Sequence, residues 1–482
     1  MPVRGRAHGA LLQVVSYELM SLFDLAFPVS AAAQRAALRQ LRAVDEEPVY
    51  YSFSYPVARW LARCCPGELT IDWDGFEDTT RFDELLARIL HPAEDEYFDS
   101  GWVDTRGWLD EARGDANDFD WLMAQLGGSK LQPFWSQLYD AAEIPLVWNT
   151  AGSRYRKSRN FVTPGEIVVR DAGMRPRPRY PKREIQRPLE AIERLDARRG
   201  ARLIDVAMAS LAARHRETYH FNYANPREVY LADVGAGVSV AVFGLLPEHR
   251  FALECTMGYL LLSNGVPIGY GGASALFRQV NTGINIFDEF RRSEAAFLWT
   301  QVMRVYHALT GCTRFIANAY QFGGDNTEAL KSGAFWFYYR LGYRPVDAEI
   351  RALARAELAR IRRDRACRSS IRTLRKLASC DMHLALPGAR ASEFFDERWF
   401  DTVSWLATQS LAAAGPASRR RSAALAPIVA AVPSDDWTPT EKRRTARLLR
   451  AKAGPHELPY ARLLANHDKL LFSLKKACRA AP

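Results

Sequence analysis

The hydrophobic and polar positions divide the chain into four regions. Over residues 1–150, helical patterns alternate with loops that are rich in acidic residues and tryptophan, which predicts a mixed helical, acidic N-terminal region. Residues 151–200 are basic and rich in proline, which opposes both helix and sheet, so we expect an extended connection. Residues 201–347 combine short apolar runs with helical patterns, and residues 348–482 have the pattern of basic helices.

Three apolar runs of strand length follow one another in the third region, at 238–246, 254–262 and 266–277. The dipeptide Asn264-Gly265 separates the second run from the third. Both of its residues tolerate the positive φ angles that a tight hairpin turn requires. The pattern therefore predicts an antiparallel meander.

Helices and one further strand follow this meander. Apolar residues recur at helical spacing from Leu298 to Leu309, and Gly311 stands where that helix should end. The run TRFIANAY at 313–320 has the composition of a buried strand, and 327–343 has a second helical pattern. This order of elements predicts an α/β (α+β) domain with a mixed, mostly antiparallel sheet and flanking helices.

Composition and charge narrow the class of protein. The 482 residues are 48% hydrophobic and 25% charged, which is typical of a globular protein of two or three domains, and the net charge of +10 favours anionic partners. The seven cysteines are scattered and form no C-x-x-C pair, so neither a zinc site nor a disulfide framework is predicted and a reducing cytoplasm is expected. No apolar run is long enough to span a membrane.

The most strongly basic stretch is 351–376, which has ten arginine or lysine residues and two acidic residues. Its apolar residues form an imperfect helical stripe. We therefore expect a cationic helix that packs on the domain and directs its charge outward.

A candidate anion site occurs where a predicted strand leads directly into a helix, in NIFDEFRRSEAAFLW. The first N–H groups of a helix have no intrahelical acceptors, and the helix dipole favours negative charge there. The small side chains of Ser293, Ala295 and Ala296 would let an anion approach, and Arg291 and Arg292 add positive charge. This junction is suited to a pyrophosphate.

Two motifs in this region resemble those of the GNAT superfamily of N-acetyltransferases. The family's pyrophosphate loop has the form [QR]-x-x-G-x-[GA], and Arg291 to Ala296 follows it except that Glu294 replaces the glycine. The later signature A-x-x-x-Y-x-x-L-G-[FY] is matched by residues 334–343, with Tyr338 at the tyrosine position. Residues 201–347 are therefore similar to a GNAT domain, and the resemblance covers about 30% of the chain.

The resemblance implies transfer of an acyl group, most simply acetyl, from acetyl-CoA or another acyl-CoA to an amine of a small molecule or protein. It implies a splayed sheet, with the pantetheine arm along the strand that precedes the loop. Tyr338 would be the candidate acid for the departing thiolate, and Glu254, Glu289 or Asp288 would take the proton of the amine. The implied cofactor-binding residues are Ile286, Phe287, Arg291, Arg292, Ser293, Glu294, Ala295 and Ala296.

Two alternatives remain open from the sequence. Tyr338 belongs to the aromatic run Phe335 to Tyr339, and aromatic residues at helical spacing often serve only to pack a core. The whole domain could also be a non-catalytic scaffold that binds nucleic acid or an acidic partner through 351–376. A metal site is not expected, because His215 and His220 are five residues apart and do not share a helix face.

Overall fold

The computed structural model has two compact units. It describes residues 20–44, 46–91, 93–94, 96, 103–127, 132–291, 293–364, 366–414 and 425–481. The first unit comprises the described parts of Met1–Leu25, Ala32–Thr163 and Arg202–Tyr223, and the second comprises those of Ala26–Ala31, Pro164–Ala201 and Ala224–Pro482.

The first unit combines helices with a small antiparallel sheet. Its strands are β1 (Val49–Tyr51), β2 (Leu69–Ile71) and β3 (Leu146–Trp148), in the order β1–β3–β2. Its helices are α1 (Ala31–Arg42), α2 (Tyr55–Cys64), α3 (Thr80–Ile89), α4 (Thr105–Arg113), α5 (Asp118–Gly127), α6 (Gln132–Ala142), the greater part of α8 (Ala197–Ala212), α9 (Tyr219–Asn222) and the 3-10 turn Trp73–Gly75.

Aromatic residues and side-chain hydrogen bonds hold this unit together. Trp148 and Tyr139 are fully buried. The indole N–H of Trp60 donates to Asp205 Oδ1 at 2.8 Å, and the Tyr55 amide donates to Asp140 Oδ1 at 2.7 Å. These two hydrogen bonds limit the free-energy cost of burying the Trp60 indole and the Tyr55 amide.

The second unit is organised around one large, open sheet. Its strands are β4 (Ile192–Arg194), β5 (Ala224–Gly235), β6 (Val238–Leu245), β7 (Cys255–Ser263), β8 (Val266–Leu276), β9 (Gln279–Thr282), β10 (Asn285–Ile286), β11 (Arg314–Ala317), β12 (Arg344–Pro345) and β13 (Met382–Ala385). They lie in the order β12–β13–β11–β9–β8–β7–β6–β5–β4, and β10 pairs with β8.

The predicted meander is confirmed. Strands β5 to β9 pair antiparallel in sequence order. The hairpin between β7 and β8 turns at Asn264 (φ 47°) and Gly265 (φ 78°), the left-handed conformations that the dipeptide predicted. The mixed, mostly antiparallel sheet with flanking helices agrees with the predicted fold class.

The side chain of Asn264 does more than permit this turn. Its Nδ2 donates to the carbonyls of Ala26 and Val168 at 3.0 Å each, and its Oδ1 accepts from the Val168 amide at 2.9 Å. The side chain is buried, so water cannot replace these bonds. One residue therefore fixes two distant segments of the second unit to the hairpin.

A helical crossover carries the chain from the meander to the far strands. Helix α10 (Ala295–Thr310) ends at Gly311, which has φ 75°, as predicted. It leads to β11, which pairs parallel with β9, the one parallel pair among the described strands. The Tyr306 side chain of α10 meets the Tyr259 ring of β7, with centroids 6.1 Å apart, so α10 covers the sheet face that bears Tyr259.

The remaining helices of this unit surround the sheet. They are α7 (Pro181–Gln186), α11 (Thr327–Ser332), α12 (Ala334–Leu341), α13 (Ala348–Arg363), α14 (Ile371–Leu377), α15 (Phe400–Ala414), α16 (Leu425–Ala430), α17 (Pro439–Lys452), α18 (Leu458–Ala465) and α19 (Asp468–Ala480). Short 3-10 turns occur at Pro247–His249, Asp288–Phe290, Ala319–Phe322, Ala391–Glu393 and Glu397–Trp399.

The structure differs from the sequence prediction in the connection and beyond residue 348. The segment 151–200, predicted to be extended, contains α7, β4 and the start of α8. The basic stretch 351–376 lies in two helices, α13 and α14, because Ser370 caps a new helix by accepting from the Thr373 amide at 3.1 Å. The region beyond 348 also contributes a strand, β13, which lies between β12 and β11. Within the described part of the chain, no helix has the length and apolar character needed to cross a membrane.

Replacement of Asn264 should destabilise the second unit. Asn264→Ala leaves three backbone groups without their partner and places alanine at positive φ, so we expect a loss of about 2–4 kcal/mol in the free energy of unfolding. Asn264→Gly should lose about 1 kcal/mol less, because glycine tolerates the turn conformation. Urea unfolding measures both. An effect no larger than that of the exposed Asn285→Ala would contradict the assigned role.

Candidate functional site

The sheet forks where the pairing between β9 and β11 ends. Strand β9 pairs with β11 up to Asn281, which is opposite Ile316. On its other side β9 pairs with β8, and after Gly283 and Ile284 the chain continues along β8 as β10, with Asn285 opposite Tyr270. The sheet therefore loses its continuous ladder between β10 and the end of β11, at the segment where the resemblance implies a splayed sheet.

Gly283 lies at this opening and is packed closely against the turn Ala319–Phe322. A Cβ on Gly283 would lie 2.0 Å from Gln321 Oε1, so no other residue fits without displacement of that side chain. The Gly283 carbonyl accepts a hydrogen bond from the Tyr259 hydroxyl at 2.6 Å. The chain at the fork is thus held from the sheet side by a buried phenol.

Tyr338 lies beside the fork, in an aromatic interior. Its ring contacts those of Trp299, Phe322 and Tyr343, with centroids 5.4–6.2 Å apart, and only 2% of the residue is exposed. Burial raises the pKa of Tyr338, and a hydrogen bond with the Ile284 backbone opposes that rise. The hydroxyl is therefore protonated at neutral pH and is directed at the segment between β9 and β10.

The predicted anion loop leads from the fork into α10. Arg291 is half-exposed and pairs with Asp288 at 2.8 Å and Glu328 at 2.5 Å. Ser293 Oγ is buried without a hydrogen-bond partner. Ala295 and Ala296 open the helix, where N–H groups have no acceptor within the helix.

Glu294, the departure from the family pattern, points away from this loop. Its Oε1 pairs with Arg170 at 2.9 Å and its Oε2 accepts from the Arg175 amide at 2.7 Å. Both the Arg170 and Glu294 side chains are almost wholly buried. The Arg175 guanidinium lies 5.4 Å from the centroid of Phe297, in the first turn of α10. The carboxylate is neutralised internally, and an additional cation stands at the helix start.

The other predicted cofactor residues are only partly available. The Phe287 amide donates to the Ile268 carbonyl at 3.1 Å, so the sheet already uses it. Ile286 is the second residue of β10 and pairs with Gly269 of β8. Arg292 lies outside the described residues.

A row of polar side chains crosses the sheet on the face away from α10. Thr256, Ser274 and Asn281 occupy directly opposed positions on β7, β8 and β9. The hydroxyls of Thr256 and Ser274 are 3.1 Å apart. Because Thr256 and Tyr259 are an odd number of residues apart on one strand, their side chains lie on opposite faces.

The row ends at a carboxylate from far along the chain. Asn281 Nδ2 donates to both oxygens of Glu397, at 2.9 and 3.1 Å. Glu397 is in the turn Glu397–Trp399, and two 2.8 Å hydrogen bonds between Gln279 and the Phe395 backbone fix the chain just before it. The carboxylate is thereby positioned over β9 by two neighbouring amide side chains.

Glu254 immediately precedes β7 and is electrostatically coupled to Glu397. Burial, reinforced by the negative charge of Glu397, raises the pKa of Glu254 to about 7, while Lys452 opposes the rise. Burial also raises the pKa of Glu397, and its hydrogen bond from Asn281 limits that effect. Glu254 can therefore both accept and release a proton near neutral pH, which is what a general base requires.

Sequence reasoning identified Glu254, Glu289 and Tyr338 but missed Thr256, Ser274, Asn281 and Glu397. Glu289 is in the turn Asp288–Phe290, before the anion loop, whereas Glu254 is near Glu397. Asn281 could have been noticed in the sequence, because a side-chain amide within an apolar strand needs a hydrogen-bond partner. Glu397 is 116 residues further along, and no local pattern marks it.

Comparisons with known proteins add no assignment: no protein-family model, curated protein or solved structure matches the chain. Among the described residues, no group of three or more His, Cys, Asp or Glu side chains is arranged to hold a metal ion. The fork, the predicted anion loop and the polar row are therefore the features that bear on the function of this chain.

The raised pKa of Glu254 makes a testable contribution to stability. Its pKa in the folded protein, about 7, is above the ordinary value of 4.5, so folding is favoured by protonation and this contribution is lost as pH rises from about 4.5 through 7. Glu254→Gln should therefore equal the wild type near pH 5 and be more stable at pH 8, by on the order of 1–3 kcal/mol.

Urea unfolding at the two pH values measures this difference. Glu248→Gln is the matched control, because it removes a carboxylate from an exposed position in the turn Pro247–His249. A stability difference between Glu254→Gln and the wild type that is the same at both pH values would contradict the assigned pKa.

Proposed function

We propose that the second unit is a GNAT-like N-acyltransferase that uses acetyl-CoA or another acyl-CoA to acylate an amine. The observation that carries this proposal is the fork between β10 and β11, with the Tyr338 hydroxyl beside it and the start of α10 directly after it. The two sequence motifs fall on these same elements. The proposal concerns the second unit, and its cytoplasmic location stays a prediction.

The loop before α10 has suitable groups for the phosphates of an acyl-CoA. The first-turn amides of Ala295 and Ala296 carry small side chains, and the buried Ser293 hydroxyl lacks a partner. Arg175 adds positive charge, and Glu294 is already paired with Arg170. Arg291 would have to exchange its carboxylate partners, Asp288 and Glu328, for a phosphate. These donors would hold a pyrophosphate through backbone N–H groups and the helix dipole.

The proposed chemistry divides between the two faces of the sheet. A bound acyl-CoA supplies an activated acyl carbonyl, and the fork lets it lie between the face that α10 covers and the polar face. On the polar face, Glu254 takes a proton from the acceptor ammonium so that the neutral amine can attack. Asn281 holds the Glu397 carboxylate by a hydrogen bond, and the negative charge of Glu397 adds to the effect of burial in raising the pKa of Glu254.

Tyr338 is the proposed acid at the inner end of the fork. Its raised pKa keeps the phenol protonated, as a proton donor to a departing thiolate must be. Its hydroxyl is engaged with the Ile284 backbone, so binding of the pantetheine arm has to exchange that hydrogen bond for one to the ligand. The contacts of the Tyr338 ring with Trp299 and Tyr343 hold the ring in position before the ligand binds.

A second candidate function follows from the basic helices. Arg351, Arg355 and Arg362 of α13 and Arg372 and Arg375 of α14 are exposed. They form a cationic surface suited to nucleic acid or an acidic partner. This function does not require acyl transfer, and it is the non-catalytic alternative for the same domain.

Acyl-CoA binding should depend on charge at the start of α10. Ala296→Asp places a carboxylate where the phosphates would lie, so we expect calorimetric titration with acetyl-CoA to show at least a tenfold loss of affinity. Ala296→Asn has nearly the same size without the charge and should lose far less. The carboxylate also complements the helix dipole, so the folded state should be preserved. No binding of acetyl-CoA or longer acyl-CoAs to the wild type would contradict the proposal.

The base role of Glu254 should appear in the rate of acylation. Glu254→Gln should reduce turnover of acetyl-CoA with a panel of primary amines at pH 8 by about 10²–10⁴-fold, because it removes the proton acceptor. Its affinity for acetyl-CoA should stay within about twofold, since the predicted cofactor loop is distant in sequence. Glu289→Gln is the comparison that separates the two carboxylates. A larger loss of turnover in Glu289→Gln than in Glu254→Gln would contradict this role.

A further inference from the structure

The basic, proline-rich segment 174–187 is part of the second unit and packs against α10. It has six cationic side chains and one acidic side chain, Glu184. Its cations are Arg175, Arg177, Arg179, Lys182, Arg183 and Arg187. The sequence predicted an extended connection here, yet α7 occupies its second half and buries Ile185 completely.

Buried side chains of α10 hold this segment in place. Gln301 Nε2 donates to Glu184 Oε1 at 3.1 Å, and Arg304 Nε donates to the Arg187 carbonyl at 2.9 Å. Gln301 and Arg304 are themselves almost completely buried. The one acidic side chain of the segment is thus directed at α10 and also pairs with Arg187 at 3.3 Å, while among the described residues it forms no ion pair with Arg179 or Arg183.

An exposed aromatic ring lies among these cations. Tyr180 is 54% exposed, although it precedes a helix that is anchored to the core. The guanidinium carbon of Arg179 lies 5.3 Å from the centre of its ring, and that of Arg183 lies 5.1 Å away. One phenol ring and two guanidinium groups therefore form an aromatic and cationic cluster at the surface.

This cluster forms part of a shallow groove of about 490 Å³. We name it the Tyr180 groove; it is lined by Pro178, Arg179, Tyr180, Arg183, Glu184, Gln186 and Arg187. The Arg177 guanidinium donates to the Arg340 carbonyl at the end of α12, at 2.8 Å, which extends the cationic surface along that helix.

We propose that the Tyr180 groove binds single-stranded nucleic acid. Unpaired bases stack on aromatic rings and guanidinium planes, and phosphates pair with the adjacent cations. An anionic membrane would require apolar side chains to insert, and the groove offers only Pro178 and Tyr180 for that. An acidic peptide would use the charges but would gain little from the half-exposed ring.

The lining of the groove is distinct from the residues proposed for acyl transfer. It lies within residues 178–187, whereas the proposed phosphate site uses Arg175 and the start of α10, and the proposed catalytic groups are Glu254 and Tyr338. Binding of nucleic acid therefore neither requires nor excludes acyl transfer. Variants of the groove are expected to leave the affinity for acetyl-CoA unchanged, which keeps the two proposals experimentally separate.

Fluorescence anisotropy with a labelled 12-nucleotide oligouridylate and the full chain tests the proposal. Tyr180→Ala should weaken binding about tenfold, whereas Tyr180→Phe, which retains the ring, should stay within about twofold of the wild type. The double variant Arg179→Ala/Arg183→Ala should also weaken binding and should lower the slope of log K against log salt concentration by about 1.4.

The control variant is Arg351→Ala/Arg355→Ala/Arg362→Ala, which removes exposed cations from α13 instead. Circular dichroism should show that all variants fold, since the replaced side chains are at the surface. Absence of oligouridylate binding, or binding lost in the α13 variant and retained in the groove variants, would overturn the proposal. So would tighter binding to polyglutamate or to phosphatidylserine vesicles than to the oligonucleotide at the same salt concentration.

Discussion

The end of the pairing between β9 and β11 is the constraint on which the rest of the second unit depends. Backbone N–H and C=O groups need partners, and the chain keeps its partners on β8 through β9 and β10 although its pairing with β11 stops at Asn281. Gly283 lies at this point against Gln321, and the buried Tyr259 hydroxyl fixes its carbonyl. Everything proposed for acyl transfer is arranged around this gap in the ladder.

The buried carboxylates of this unit differ in their surroundings. Glu294 is neutralised by Arg170, and Glu228 interacts with Arg250 at 3.3 Å in a similar buried position. Such pairs limit the cost of a buried charge, although burial still raises the pKa of Glu228 to about 7. At Glu254, burial is the larger cause of a pKa raised to about 7, and the neighbouring acid Glu397 adds to it. A carboxylate held at the midpoint of its titration serves proton transfer better than it serves stability.

The same sheet has two separate chemical surfaces. The polar row lies on one face, where Thr256 is buried and Ser274 and Asn281 are half-buried. Helix α10 covers the other face and holds the basic segment through Gln301 and Arg304. The first turn of α10 therefore belongs to the predicted anion loop, and the middle of α10 binds the segment that forms the Tyr180 groove. That dual use links the two proposals structurally without making either depend on the other.

The sequence by itself determined the elements whose cause is local. Asn264-Gly265 specified a hairpin, Gly311 ended α10, and apolar runs marked β6 to β8, because turn conformation and periodicity depend on neighbouring residues. Only the tertiary structure decided that β13 enters the sheet beside β11 and that Asn281 meets Glu397. Those contacts join residues more than 60 and 100 positions apart, and strand register, rather than local preference, brings them together.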